Sequence, residues 1–244
     1  MKLIIKTKKL LPRTKLRLLK DSVNYFFSSF LSFSFINRYS VRRFIEYYGG
    51  DSGHAIDKKR GNLGYGFIHY AFIRNLRPKK VLCVGSGYGF IPAICALACK
   101  DNQFGQVDFV DAGYDQKNSK NWGGIGFWLK NNPQRHFSLL GLDRWIKAFI
   151  MTSLEFNQKD SSNKYGYIYI DGDHSYEGVK KDFELFWPQL EKGGLMVFHD
   201  AEVKNWGKLN NFGVWKFWQE LKVGPKIIFP LPKESGLGIV QKKL

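Results

Sequence analysis

From Lys80 onward the chain alternates two hydrophobic patterns. Short, almost unbroken apolar runs recur: KVLCV (Lys80–Val84), VDFVD (Val107–Asp111), IKAFIM (Ile146–Met151), YGYIYI (Tyr165–Ile170) and GLMVF (Gly194–Phe198). Runs of this length, rich in β-branched and aromatic residues, predict strands buried on both faces. Helical stretches lie between or after them: Phe90–Lys100, a short one following Thr152-Ser153, Tyr176–Leu190 and Val214–Leu221. Lys226–Phe229 and Leu237–Gln241 add two closing strands. The alternation predicts an α/β fold: a Rossmann-like, doubly wound, mostly parallel seven-stranded sheet with helices on both faces.

Upstream the pattern changes. Leu16–Tyr48 reads mostly as helix and stops at Gly49-Gly50. Asp51–Gly66 (DSGHAIDKKRGNLGYG) is a glycine-rich loop, and Phe67–Leu76 is a short helix ended by Arg77-Pro78. Residues 1–63 are therefore expected to be a basic arm with a helical extension, and 64–244 the main domain.

In a doubly wound sheet, ligands bind beyond the carboxyl ends of the strands. Five successive strands run into polar clusters there: Gly85–Gly89, Asp111, Thr152-Ser153, Asp171–His174 and His199-Asp200. Gly85-Ser86-Gly87-Tyr88-Gly89 allows a sharp turn and close backbone approach to a ligand. Asp111 is placed to accept from the hydroxyl pair of a ribose. The loop reads G-x-G-x-G, with Phe90 where a last glycine would complete G-x-G-x-x-G, which argues against a nicotinamide oxidoreductase.

The 244 residues are 44% hydrophobic and 16% aromatic, enough for one filled α/β domain with an appendage. Cys83, Cys95 and Cys99 have no metal-type spacing and read as reduced packing residues, which fits a reducing cytoplasm. The net charge is +17, and the opening MKLIIKTKKLLPRTKLRLLK supplies eight of its basic residues and no acid. Ser22–Ile36 then carries no charge, but is too short and serine-rich to span a membrane. No cleavage pattern of a signal peptide follows the arm. A basic arm before an aromatic helix suits peripheral contact with an anionic membrane. The preferred reading is a solvated arm and a helix packed on the domain.

The series VLCVGSGYG, VDFVDAGYD and YIYIDGDHSYEGVKKDFELFWPQLEKGGLMVFHD resembles class I S-adenosylmethionine-dependent methyltransferases. More narrowly, it is similar to the metal-dependent O-methyltransferase group related to antibiotic and sugar O-methyltransferases. The likeness runs from about Gly64 onward and is tightest over Tyr167–Asp200. It implies that Gly85, Ser86, Gly87 and Gly89 hold the methionine and ribose parts of S-adenosylmethionine, Asp111 the ribose, and Thr152 and Ser153 the adenine. Cys83 departs from the pattern, since many such enzymes carry an acid there.

Asp171 and Asp200 end adjacent strands about 4.8 Å apart, so their carboxylates can converge on one divalent cation, magnesium or manganese. Such an ion lowers the pKa of a bound substrate hydroxyl, and His174 can take its proton. The resemblance implies an acidic pair after the fifth strand, where this chain has His199-Asp200. His199 then either ligates and shifts preference toward manganese, iron or zinc, or the site is weakened. The plain alternative makes Asp171, Asp173 and His174 caps of the following helix, which suits Asp173 best. Of the other histidines, His69 is expected in the core, His136 solvated in a polar loop, and His54 in a surface turn or a lid.

The acceptor expected is a hydroxyl of a small molecule or saccharide. Trp122–Trp128 and Trp206–Trp218 carry rings able to stack on it, although core packing explains most of the tryptophans better. An RNA methyltransferase is a minor alternative, because the Asn- or Asp-Pro-Pro-aromatic run of base-amine enzymes is missing after the fourth strand. A non-catalytic cofactor-binding protein of the same fold is another, and a homo-oligomer is left open.

Overall fold

The computed structural model describes residues 36–51, 53–114, 125–159, 161–204, 212–230 and 235–244, together with Val23. The basic arm, nearly all of Ser22–Ile36, Trp122 and Trp206 lie outside the described residues.

Seven strands form one sheet: β1 (Lys80–Val84), β2 (Gln106–Asp111), β3 (Ile146–Ile150), β4 (Tyr165–Ile170), β5 (Leu190–Phe198), β6 (Lys226–Phe229) and β7 (Leu237–Gln241). Their order is β3-β2-β1-β4-β5-β7-β6. The first five are parallel, and β7 runs antiparallel to β5 and β6. The helices are α1 (Arg38–Tyr48), α2 (Tyr65–Leu76), α3 (Phe90–Asn102), α4 (Phe127–Lys130), α5 (Pro133–Ser138), α6 (Ser153–Lys159), α7 (Tyr176–Phe186) and α8 (Val214–Glu220).

Period-two alternation divides the strand residues between two cores. Val81, Cys83, Tyr167, Tyr169 and Val197 face α1, α2 and α3, where Phe44, Ile73, Phe90 and Ile94 meet them. Leu82, Val84, Ile168, Ile170, Met196 and Phe198 face α6, α7 and α8, against Phe156, Val179, Phe186 and Trp218. Each fully buried apolar side chain of this size stabilises by about 1.5–3 kcal/mol. Cover on both faces is why the strands read as unbroken apolar runs. Cys83, Cys95 and Cys99 are unpaired and buried among these side chains, as expected.

Two upstream expectations are corrected. Asn37 interrupts the helical stretch expected over Leu16–Tyr48: its side chain accepts from the backbone N–H of Tyr39 and Ser40, so α1 starts at Arg38. His136 is not solvated but lies in α5, bonded through Nε2 to Tyr48 Oη at 2.9 Å, and burial pushes its pKa down to about 4. His69 is in the core as expected, with Nδ1 2.6 Å from Tyr167 Oη.

The sheet register positions the site. Val84 pairs with Val110 on one side and Ile170 on the other, and Ile170 pairs with Phe198. The next residue of each strand therefore reaches one level at the carboxyl edge: Gly85, Asp111, Asp171 and His199. Backbone bonds hold that level, from Gly85 N to Val110 O (2.7 Å), Asp171 N to Val84 O (2.8 Å) and His199 N to Ile170 O (3.0 Å). Strand order reverses between β1 and β4, the place where open α/β sheets bind ligands.

Candidate active site

A cavity of about 340 Å³ opens at this edge. Gly85, Asp111, Thr152, Ser153, Asp171 and Asp182 are among the residues lining it. That volume falls within the range of small-molecule sites. Gly85 is required for shape: its φ is +68°, and a Cβ there would lie 2.1 Å from the Asp171 carbonyl oxygen. At Gly87 (φ +42°) the nearest atom to such a Cβ is 3.9 Å away, which leaves room for a ligand against the loop. Gly89 instead gives space to Trp128 and Phe137 of the core. Ser86 Oγ is buried without a hydrogen-bond partner among the described residues. An unspent buried hydroxyl in a glycine loop beside a cavity fits a bound cofactor.

Asp111 Oδ1 accepts from Gly113 N at 2.8 Å. Burial raises its pKa to about 6, against the lowering effect of the Gly113 and Ser86 backbone bonds. Thr152 also caps the following helix: its hydroxyl donates to Glu155 Oε2 at 2.8 Å, and the same oxygen accepts from the Thr152 N–H. Ser153 bonds to Asp182, a buried carboxyl on α7 that burial also lifts to about 6. Nothing in the local sequence marked Asp182; only its inward position on α7, one turn beyond Val179, could have suggested it.

Beside the cavity is a buried cluster of carboxylates and imidazoles. Asp171 Oδ1 is 3.2 Å from His174 Nε2 and 3.1 Å from His199 Nδ1. Asp200 Oδ2 is 2.9 Å from His174 Nδ1, and its Oδ1 is 3.2 Å from His199 Nδ1. Tyr169 donates to Asp171 Oδ2 at 3.0 Å. Burial alone would raise the Asp171 carboxyl, but the His199 charge and the His174 hydrogen bond outweigh it and hold it well below the usual range. Burial pulls His174 down, yet the bonds to Asp171 and Asp200 raise it to about 9. Against the same burial, the charges of Asp200 and Asp171 raise His199. Asp200 takes φ +58°, a left-handed conformation that turns its side chain back toward the cluster.

The helix-cap alternative applies to neighbours of these residues. Ser175 caps α7 by accepting from Gly178 N at 3.0 Å, and Asp173 accepts from Ser175 N at 2.9 Å. Asp171, His174 and Asp200 face the cluster instead. His54 is a correction: far from a surface turn, it is buried and stacked on His199, ring centroids 4.6 Å apart.

The donor set fits a divalent cation. His199 Nε2 lies 2.9 Å from Gly53 O, a pure acceptor, so that nitrogen carries the proton. Its Nδ1 faces the Asp171 and Asp200 carboxylates, whose charges favour a proton there that a bound cation would replace. Spacings of 3.1 and 3.2 Å from this nitrogen to the two carboxylates match the edge of an octahedron with bonds of about 2.1 Å.

Sheet order, glycine loop and strand-terminal acids together define the class I fold of S-adenosylmethionine-dependent methyltransferases. Residues 82–201 match a family described as a methyltransferase domain. The fold is also that of an O-methyltransferase from Bacillus cereus solved with SAH (TM-score 0.56, 12% identity, covering 91% of this chain and 97% of that one). An SAH-bound methyltransferase from Podospora anserina gives a TM-score of 0.58 at 14% identity, covering 98% and 100%. An O-methyltransferase of Streptomyces achromogenes, involved in tomaymycin synthesis and solved with SAM, gives 0.55 at 12%, covering 91% and 96%. Among curated proteins, the uncharacterized protein y4gI of Sinorhizobium fredii is 27% identical over 190 residues, 77% of this chain and 20% of that protein. The chain thus spans about a fifth of the length of that relative. No helix among the described residues is long and apolar enough to cross a membrane.

Proposed function

We propose that this chain is an S-adenosylmethionine-dependent O-methyltransferase, assisted by a divalent cation such as magnesium or manganese, acting on a hydroxyl of a small molecule or saccharide. One observation carries the reading: the cavity bordered by Gly85 and Asp111 shares its Asp171 wall with the His174–Asp200–His199 cluster. A methyl donor and a hydroxyl acceptor placed on the two sides of that wall are neighbours.

Asp111 accepts from the ribose hydroxyls, and Ser86 Oγ and the space at Gly87 receive the rest of the cofactor near the loop. Thr152 and Ser153 border the adenine with backbone rather than hydroxyls. S-adenosylmethionine supplies the methyl group from its sulfonium. Asp171, His199 and Asp200 would hold the cation. The chemistry a divalent cation supplies here is a lowered hydroxyl pKa and neutralisation of the carboxylates that keep His174 charged. His174 Nε2 takes the hydroxyl proton, and the chain's larger contribution is to align oxygen, methyl and sulfur.

A second reading, a cofactor-binding protein without catalysis, is favoured by the closure of His174 between both carboxylates. Calorimetry with S-adenosylmethionine, with NADH as control, separates these on metal-stripped protein and again with magnesium or manganese. Micromolar binding that is lost in Asp111→Ala, followed by metal-dependent transfer to hydroxyl acceptors, supports the enzyme. Binding without transfer to any acceptor class supports the second reading, and no binding under any condition sinks both.

A further inference from the structure

His54 lies outside the matched domain of residues 82–201, in the segment before α2. It is nevertheless buried at the mouth of the sheet. Its Nδ1 is 3.1 Å from Asp51 Oδ1, and its Nε2 is 3.1 Å from Tyr169 Oη and 3.7 Å from Asp171 Oδ2. Asp51 accepts from Nδ1, which fixes the ring so that Nε2 lies beside Tyr169 Oη and the Asp171 carboxylate.

His199 is held in the complementary sense, with Nε2–H on the Gly53 carbonyl and Nδ1 turned toward Asp171. Ser235 secures the same carbonyl, donating from Oγ at 2.9 Å. Each imidazole therefore has its outer N–H fixed by a carboxylate or carbonyl and its inner nitrogen aimed at one acid. Metal-ligating histidines are oriented in this way as a rule. The two rings stack at 24°. One donor atom from each of His54, Asp171 and His199 lies within 4.8 Å of the others.

We propose that His54, Asp171 and His199 form a site for a first-row transition-metal dication, with the segment before the matched domain contributing one ligand and both orienting groups. The inference rests on the metal-assisted reading above and extends it by a ligand and by the choice of ion. Two imidazoles and a carboxylate favour manganese, iron, cobalt or zinc over magnesium, which prefers oxygen donors.

The test is titration of the metal-stripped full chain with Co²⁺ alone, read by its visible spectrum and affinity, with Mg²⁺ as competitor. Co²⁺ is expected to bind in the presence of a large excess of Mg²⁺. His54→Ala should weaken it at least tenfold and alter the spectrum, while Asp51→Asn weakens it less and keeps the spectrum. Melting of the metal-free variants checks their folding, and His54→Gln replaces His54→Ala if the latter does not fold. Unchanged Co²⁺ affinity and spectrum in both His54 variants, with binding lost in Asp171→Asn, would overturn the role of His54 and leave the metal-assisted reading standing. No Co²⁺ binding by the unaltered chain overturns both.

Discussion

Asp111 gives the sharpest test of cofactor binding, because its charge can be removed by pH alone. Burial holds its pKa at about 6 rather than in the usual carboxylate range. A ribose hydroxyl pair donates to the ionised form, so affinity for S-adenosylmethionine must fall as pH drops through that value. A group titrating at about 6 is roughly nine-tenths ionised at pH 7 and one-tenth at pH 5, which weakens binding about tenfold, or ~1.4 kcal/mol. Asp111→Asn keeps the shape but loses the charged acceptor. It should weaken binding at pH 7 by about 10- to 100-fold, as expected for a hydrogen bond to a charged group worth about 1.5–3 kcal/mol. The assay is calorimetric titration of metal-free protein at half-unit steps from pH 5 to 7. Asp182 also titrates at about 6 on the cavity wall, so the variant decides which group is responsible. A dissociation constant that is flat across this range refutes the reasoning, and a slope undiminished in Asp111→Asn assigns it to Asp182.

Three further outcomes follow from the same geometry. His174→Ala should lower kcat by about 10²- to 10⁴-fold while leaving cofactor affinity within a factor of two or three, and parallel loss of both would make His174 a structural residue. Tyr167→Phe leaves His69 Nδ1 buried without its phenol, so denaturant unfolding should show a loss of about 1–3 kcal/mol, and a melting point at or above that of the parent would contradict the pairing. His174, raised to about 9, contributes stability that is complete below its unfolded value near 6.5 and lost as pH rises through about 9. Metal-free protein should therefore lose up to about 3 kcal/mol between pH 6.5 and 9, and the loss should shrink in His174→Gln.

Much of the architecture was legible because both sheet faces are covered. Tyr165–Ile170, Lys226–Phe229 and Leu237–Gln241 form strands within the limits their apolar runs suggest. Boundaries shifted where local chemistry overrode the pattern: α7 ends at Phe186, two residues before Pro188, and β5 reaches back to Leu190 to pair with Tyr165. The strand-end residues could be found in sequence because the register delivers them to one level. His54 could not, since its burial depends on Tyr169 and His199, 115 and 145 positions further along. His136 failed for the same reason: its polar neighbours suggested solvent, and Tyr48, 88 residues earlier, covers it. Thr152 both caps α6 and lines the cavity, because a helix cap and a ligand-binding turn use the same residue types.

The contact of Ser235 with Gly53 spans 182 residues of chain. During synthesis at about 5–20 residues per second, roughly 10 to 35 s separate the appearance of these two residues. Over that interval β4 and β5 can be made and paired while the Gly53 carbonyl still has no serine to fix it. A ribosome paused shortly before Ser235 would hold a chain with most of its sheet and cofactor cavity but an unfinished imidazole cradle. Completion of that cradle therefore waits for Ser235, well after β1 to β5, which carry the rest of the site, have been made.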